Sequence, residues 1–278
     1  MENVAILLTT YNSERFLDEL LQSLLRQTYT HWTLYVRDDF SSDHTSDILR
    51  RYQAEDSRIH LLEDGCKRGA MDGFLWLLQR VEAEYYMFCD HDDVWKEDKI
   101  ALTLGKMCEV PDRDEIPLVV HTDLTVTDER LQVKEPSFWQ SQHFRREEFG
   151  DKYFHLVYNN VTGCTMMLNR KAKEVSLPPH PCARMHDFWI SAAVLWHGGQ
   201  ILSVDEPTLY YRQHGDNTIG MNALPSFANK LLRVKAITNK VMLQAQVARF
   251  LSGMGLARFL ILKVRYMLQI YKRDKSDR

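Results

Sequence analysis

The stretch Tyr85-Tyr86-Met87-Phe88-Cys89-Asp90-His91-Asp92-Asp93-Val94-Trp95 joins a short apolar run to three carboxylates within four positions. Five aromatic or apolar residues bounded by charge read as a buried strand. Upstream the same pattern recurs. Val4-Ala5-Ile6-Leu7-Leu8 reads as a first buried strand and runs into the turn Thr9-Thr10-Tyr11-Asn12-Ser13. Phe16, Leu17, Leu20, Leu21, Leu24 and Leu25 then recur at helical spacing, which predicts an amphipathic helix over residues 14–27 with Ser13 as its N-cap. Strands are expected at 33–36, ending in Asp38-Asp39, and at 59–62; helices are expected at 45–55 and 69–81. Such alternation is the pattern of an α/β fold, a Rossmann-like, mostly parallel central sheet flanked by helices.

Beyond residue 115 the pattern loosens, with strands expected at 118–121, 165–168 and 201–204. Residues 226–272 read as helical and basic. The chain therefore divides into an α/β domain over 1–225 and a basic helical extension over 226–278. From Lys230 to Arg278 there are twelve Lys or Arg against Asp274 and Asp277, a balance of +10; the net charge of −3 leaves −13 for residues 1–229. Two regions so different in charge predict different partners. A hydrophobic content of 45% with 26% charged residues excludes disorder. No apolar run is long enough to span a bilayer, and no basic leader precedes the first strand. The five cysteines are scattered without a C-x-x-C pair, so neither a disulfide framework nor a zinc site is expected. These features predict a cytoplasmic protein, and nucleic acid is not expected among its partners.

The polar clusters share one edge of the expected sheet, because open parallel sheets bind ligands at the carboxyl ends of their strands. Thr9, Tyr11 and Asn12 follow the first strand, Asp38 and Asp39 the second, and Asp90, Asp92 and Asp93 the fourth. Carboxylates this close repel one another, and a cation among them relieves the repulsion. Hard oxygen ligands without cysteine favour Mg²⁺ or Mn²⁺, ions that use substrate phosphates to complete their shell. Taken singly, an Asp-rich strand-to-helix turn is more often a solvated loop, and residues 38–43 could be an Asx turn with a cap.

At these residues the chain resembles the family 2 glycosyltransferases with the A-type (GT-A) nucleotide-sugar fold, over residues 3 to about 220. Thr9-Thr10-Tyr11-Asn12, Gln27-Thr28, Asp38-Asp39 with Ser41, Ser42 and Asp43, and Asp90-His91-Asp92-Asp93-Val94-Trp95 occur in the family's order. The resemblance implies that Tyr11 stacks on the pyrimidine of the donor, that Thr9 and Asn12 line its site, and that Asp39 accepts from the base N–H. Asp90 and Asp92 would hold the ribose and the metal-bound diphosphate, with Asp93 beside them. Residues 159–165 resemble the sugar-pocket turn. Phe40 departs from the small residue or glycine usual there. Met185-His186-Asp187-Phe188-Trp189 resembles the segment that carries the catalytic base, implying that role for Asp187. Tyr210-Tyr211-Arg212-Gln213-His214-Gly215-Asp216-Asn217-Thr218 resembles the tail motif of bacterial rhamnosyltransferases of cell-wall and capsular polysaccharides; there His214 would bind metal or diphosphate and Arg212 would add positive charge.

The resemblance implies an inverting transfer from a dTDP- or UDP-linked sugar to a glycan or lipid-linked acceptor. The basic extension reads either as a helical hairpin packed on the domain or in a homo-oligomer, or as a peripheral anchor on the anionic inner face of the cell membrane. A sugar nucleotidyltransferase is the nearest enzyme alternative, but it carries a glycine-rich loop after the first strand, where residues 9–13 hold no glycine. A silent nucleotide-sugar-binding scaffold is the other; it has no chemical need for Asp39, the Asp90 cluster, Asp187 and His214 together.

Overall fold

The computed structural model describes residues 2–215 and 230–276. The chain runs β1 (Val4–Thr10), α1 (Leu17–Leu25), β2 (Trp32–Asp38), α2 (Thr45–Glu55), β3 (Ile59–Leu61), α3 (Ala70–Arg80) and β4 (Tyr85–Cys89). It continues through β5 (Val94–Trp95), α4 (Lys99–Cys108), β6 (Leu118–Asp128), β7 (Val133–Glu135) and the short helices α5 (Phe138–Ser141), α6 (Arg146–Phe149) and α7 (Phe154–Val157). A 3₁₀ turn at Gly163–Thr165 leads into β8 (Met166–Asn169), α8 (Arg170–Ser176), α9 (His186–Trp196) and β9 (Gln200–Gln213). The helices α10 (Lys230–Ser252) and α11 (Leu256–Ser276) follow.

The strands form one sheet in the order β3-β2-β1-β4-β8-β6-β9-β5, with β7 on β6. β1 to β4 are mutually parallel. β8 enters antiparallel between β4 and β6, so two reversals bring β6 back to the direction of β4, and β9 runs parallel to β6. Among the described residues six of nine strands therefore point the same way, with β5, β7 and β8 against them. β1 lies between β2 and β4 with all seven residues buried, which is why its sequence is continuously apolar rather than alternating. Its period-2 geometry still sorts the side chains. Val4, Ile6 and Leu8 join Leu17, Leu20 and Leu24 of α1 in the core on one face; Ala5 and Leu7 join Phe74, Leu77 and Leu78 of α3 on the other.

Two local expectations are corrected. α1 begins at Leu17, because Ser13 closes a preceding turn: its Oγ accepts from the Tyr11 N–H at 3.1 Å and its carbonyl from Phe16 and Leu17. Its hydroxyl therefore caps no helix. β6 is eleven residues long and β9 fourteen, well beyond the four expected of each. Pro207 is accommodated where their register shifts.

The C-terminal helices pack on the α/β body. Phe259 and Tyr266 of α11 and Ala245 and Ala248 of α10 share a third core with Phe154, Leu156 and Val157. The expected boundary at 225/226 and the motif residues Asp216, Asn217 and Thr218 lie outside the described residues.

Candidate active site

The ends of β1, β2 and β4 bring the three polar clusters to one edge, as the parallel pairing requires. Asn12, in the left-handed region at φ 48°, accepts from the Ser42 N–H at 2.9 Å, and its own N–H donates to Ser41 Oγ at 2.8 Å. It clamps the first turn to the second. Asp38 accepts from Thr10 Oγ1 and from both the N–H and the hydroxyl of Ser41. Phe40 has φ 62°, the region that favours glycine, and its ring is exposed.

Asp39 is buried and held in a network that sequence spacing did not disclose. Its Oδ1 accepts from Arg37 Nη1 at 2.8 Å and the Arg68 N–H at 2.7 Å, and its Oδ2 from the Gly69 N–H at 2.8 Å. Burial raises the Asp39 pKa, but those bonds outweigh it and keep the carboxyl below the usual carboxylate range. Arg37, itself buried, also pairs with Asp64, which in turn pairs with Arg68. Burial opposes but does not overcome these bonds at Asp64, which is held down at about 2. The loop over residues 64–69 is thus fixed around Asp39. Lys67 on that loop lies 4.0 Å from the centroid of the half-exposed Tyr11 ring, so Tyr11 and Asp39 flank the same loop. The Thr9 methyl packs against Gly73 of α3 beside Arg37.

The third cluster divides in a way the spacing did not show. Asp92 Oδ2 lies 2.9 Å from His214 Nε2, whereas Asp90 and Asp93 gather with Cys164. Both Asp93 oxygens are buried without a hydrogen-bond partner at normal geometry. Burial, then the charges of Asp92 and Asp90, push Asp93 well above its ordinary value. Burial, then Asp92, then Asp187 push Asp90 up to about 7. The Cys164 thiol is raised well above its ordinary range by burial, so it is a neutral neighbour rather than a thiolate ligand. Lys99 lies under the cluster with Nζ 3.3 Å from Thr208 Oγ1, but burial lowers it to about 8. Orphaned carboxylate oxygens and mutually repelling acids are what a divalent cation would satisfy, and oxygen donors suit Mg²⁺ or Mn²⁺.

Arg212 is buried below this loop. Its Nε donates to the Asp92 carbonyl at 2.9 Å and its Nη1 to the Glu129 carbonyl at 2.6 Å, and it pairs with Glu19. The Arg212 guanidinium lies 4.5 Å from the Phe16 ring centroid, and the His214 ring packs against Phe16 tilted by 43°. Arg212 therefore supports the Asp92 turn from behind.

Asp187 sits in the first turn of α9, largely buried, with Oδ1 accepting from the Phe188 N–H at 2.6 Å. It is near enough to Asp90 for its charge to be felt there. The preceding His186 is wedged between Phe74 and Phe88, each with ring centroids 4.6 Å away, and against Gly163. A Cβ at Gly163 would lie 2.5 Å from His186 Nε2. Gly163→Ala should therefore displace the start of α9, costing about 1–3 kcal/mol in chemical denaturation and lowering turnover, with Asp39 and the 64–69 loop unaffected. Turnover and stability both at the wild-type level would show that this contact does not position Asp187. Nearby, the Asn160 side chain is buried with neither amide atom bonded. Arg37 and Asp64 are residues near the site that the motifs left unmarked, whereas Asn160, Cys164 and His186 lie within quoted motifs that gave them no role of their own.

The sheet order, the inserted antiparallel strand and the carboxylates at the strand ends define the A-type fold of nucleotide-sugar-dependent glycosyltransferases. S. aureus TarS residues 1–349, solved with UDP-GlcNAc, superposes at a TM-score of 0.64 with 14% identity, covering 95% of this chain and 71% of that one. The mannosyltransferase PcManGT from Pyrobaculum calidifontis, solved with GDP-Man and Mn²⁺, superposes at 0.59 with 17% identity, covering 88% and 64%. The Glycosyl transferase family 2 model matches residues 5–176, and the chain belongs to that family.

Among curated relatives, TuaG of Bacillus subtilis (strain 168) is 35% identical over 106 residues, 38% of this chain and 42% of TuaG. The UDP-Glc:alpha-D-GlcNAc-diphosphoundecaprenol beta-1,3-glucosyltransferase WfgD of Escherichia coli is 34% identical over 104 residues, 37% of this chain and 40% of WfgD. The chain thus spans about two fifths of the length of these two relatives. The dTDP-rhamnosyl transferase RfbG of Shigella flexneri is 24% identical over 245 residues, 84% of this chain and 80% of RfbG.

Proposed function

We propose that this protein transfers a sugar from a dTDP- or UDP-linked donor to a hydroxyl of a glycan or lipid-linked acceptor, with inversion, in bacterial surface polysaccharide synthesis. The observation that carries the reading is that Asp187, in the first turn of α9, lies near enough to Asp90 for its charge to raise that carboxyl, with Asp90 gathered beside Asp93 after β4. The similarity to RfbG over most of both chains supports rhamnose as the sugar.

In this mechanism Asp39 accepts from the base N–H while the 64–69 loop holds it ionised, and Tyr11 stacks on the base. Thr9 and Asn12 line the base site, Asp90 binds the ribose, and Asp92, Asp93 and His214 would hold Mg²⁺ or Mn²⁺. Bound there, the ion supplies charge neutralisation for the departing nucleoside diphosphate. Arg212 keeps the Asp92 turn in place. Asp187 takes the proton of the acceptor hydroxyl as it attacks the anomeric carbon, and a single displacement inverts that centre. Acceptor-dependent release of nucleoside diphosphate from a panel of nucleotide sugars tests the function. Nucleotide-sugar synthesis from a sugar phosphate and a nucleoside triphosphate would replace it with the nucleotidyltransferase reading.

The surface of α11 supports a peripheral place at the inner face of the cell membrane. Among the described residues no helix is long and apolar enough to cross a bilayer. Leu260, Ile261, Val264, Leu268 and Tyr271 are exposed in one stripe, and Arg258, Arg265 and Lys272 border it at seven-residue intervals, on one side of the helix. A second copy packed on this stripe would bring like charges together, whereas an anionic leaflet neutralises them. The protein should co-sediment with phosphatidylglycerol vesicles and be released by about 0.5 M salt, a concentration that shortens the screening length well below 8 Å. Failure to bind such vesicles at low salt would leave the stripe to a protein contact.

A further inference from the structure

A cleft of about 440 Å³ lies between the start of α9 and the α10–α11 hairpin, and Asp187 forms part of its wall. Three cations line it, Arg184, Lys240 and Lys263, against that single carboxylate. Arg184 and Lys240 are exposed and have no carboxylate within ion-pair distance among the described residues. Lys263 is held in place, its Nζ donating to the Val157 carbonyl at 2.7 Å and to Gln244 Oε1 at 3.0 Å. Burial, then the charge of Lys240, push Lys263 down to about 8. Two lysines converge there without an anion between them. Phe188, Val241 and Val247 give the cleft an apolar part, beside the polar side chains of Asn159 and Gln244.

In the proposed mechanism the donor's diphosphate is held through a cation at the acidic cluster at the end of β4. A second, directly cationic site beside the base is therefore placed for a different anion. We propose that this cleft is an acceptor subsite for a phosphate- or diphosphate-linked acceptor bearing an apolar chain. Arg184, Lys240 and Lys263 take the anion, Phe188, Val241 and Val247 take the start of the chain, and the acceptor sugar reaches Asp187. The C-terminal hairpin then completes the active site rather than merely decorating the domain. The assignment of this anion to an acceptor rests on Asp187 being the base.

The test is a binding measurement on the full chain by calorimetry, in chelator so that no cation bridges phosphate to the acidic cluster. The probes are farnesyl diphosphate, inorganic pyrophosphate and octyl glucoside. Farnesyl diphosphate should bind at least about tenfold more tightly than either of the others, since only it offers both charge and chain. Arg184→Gln and Lys240→Gln should each weaken it several-fold and together by more than roughly tenfold, the loss of charge-assisted hydrogen bonds. UDP binding in Mn²⁺ should not change. Unchanged farnesyl diphosphate affinity in the double variant, or pyrophosphate binding as tightly as farnesyl diphosphate, would overturn the subsite. Because the readout needs no turnover, it fails separately from the catalytic role of Asp187. The substitutions lie off the exposed stripe of α11, so attachment of the farnesyl chain there would be insensitive to them and would count against the proposal.

Discussion

Asp187→Asn should lower acceptor-dependent turnover by about 10²- to 10⁴-fold, the usual contribution of positioned proton transfer, while donor affinity stays at the wild-type value. The hydroxyl must lose its proton as its oxygen bonds to the anomeric carbon, and the amide cannot accept that proton. The substitution is nearly isosteric, and Asn can still accept from the Phe188 N–H through its side-chain oxygen, so the first turn of α9 keeps its local bond. The donor-binding side chains Tyr11, Asp39 and Asp92 stand on other elements. Donor titration paired with turnover reads the two effects apart. Turnover within about threefold of wild type would remove Asp187 from the mechanism, and loss of donor binding in parallel would make it a structural residue.

Removing the cation should have an effect of comparable size. Chelated protein should lose turnover, and Mg²⁺ or Mn²⁺ should restore it, because the departing diphosphate would otherwise meet Asp90, Asp92 and Asp93 with no opposing charge. A second readout separates this from simple inactivation. In chelator, Asp90→Asn should melt higher than wild type, since it relieves repulsion among buried carboxylates; each kcal/mol relieved corresponds to roughly 2–4 °C in a chain of this size. Adding Mn²⁺ should raise the melting temperature of wild type and much less that of Asp92→Asn, which removes a proposed ligand of the ion. Full turnover in chelator together with an Mn²⁺-insensitive melting temperature would exclude a cation at this cluster.

The parts of the fold legible in the sequence are those in which burial is uniform. β1 and β4 lie in the middle of the sheet and bury both faces, so they read as unbroken apolar runs, and the boundaries of β4 and of α2 fall where the residues place them. β6 and β9 were mostly hidden because polar residues are buried along them. Thr122 and Thr208 meet at 2.6 Å, and Asp123 accepts from the Leu124 and Trp139 N–H groups and from Ser137. A period of apolar residues cannot register polar groups that are satisfied across strands.

The site divides along similar lines. Its carboxylates were visible because each follows a strand, but their partners come from far along the chain. His214 reaches Asp92 over 122 residues, and Arg37 meets Asp64 and the 64–69 loop across a strand. Cys164, placed against Asp93 by the antiparallel β8, carried no motif of its own beyond the sugar-pocket turn. Arg212, expected to add positive charge at the donor site, donates to the Asp92 carbonyl from the far end of the long β9.

The proposed reaction is a single displacement in which a base on the acceptor side works opposite a leaving nucleoside diphosphate. The most direct measurement is the anomeric configuration of the sugar in the product, read from its one-bond carbon–proton coupling by NMR after transfer from a donor of known configuration. The account predicts a product of the opposite configuration, formed only when an acceptor is present. A product with the donor's configuration would contradict it.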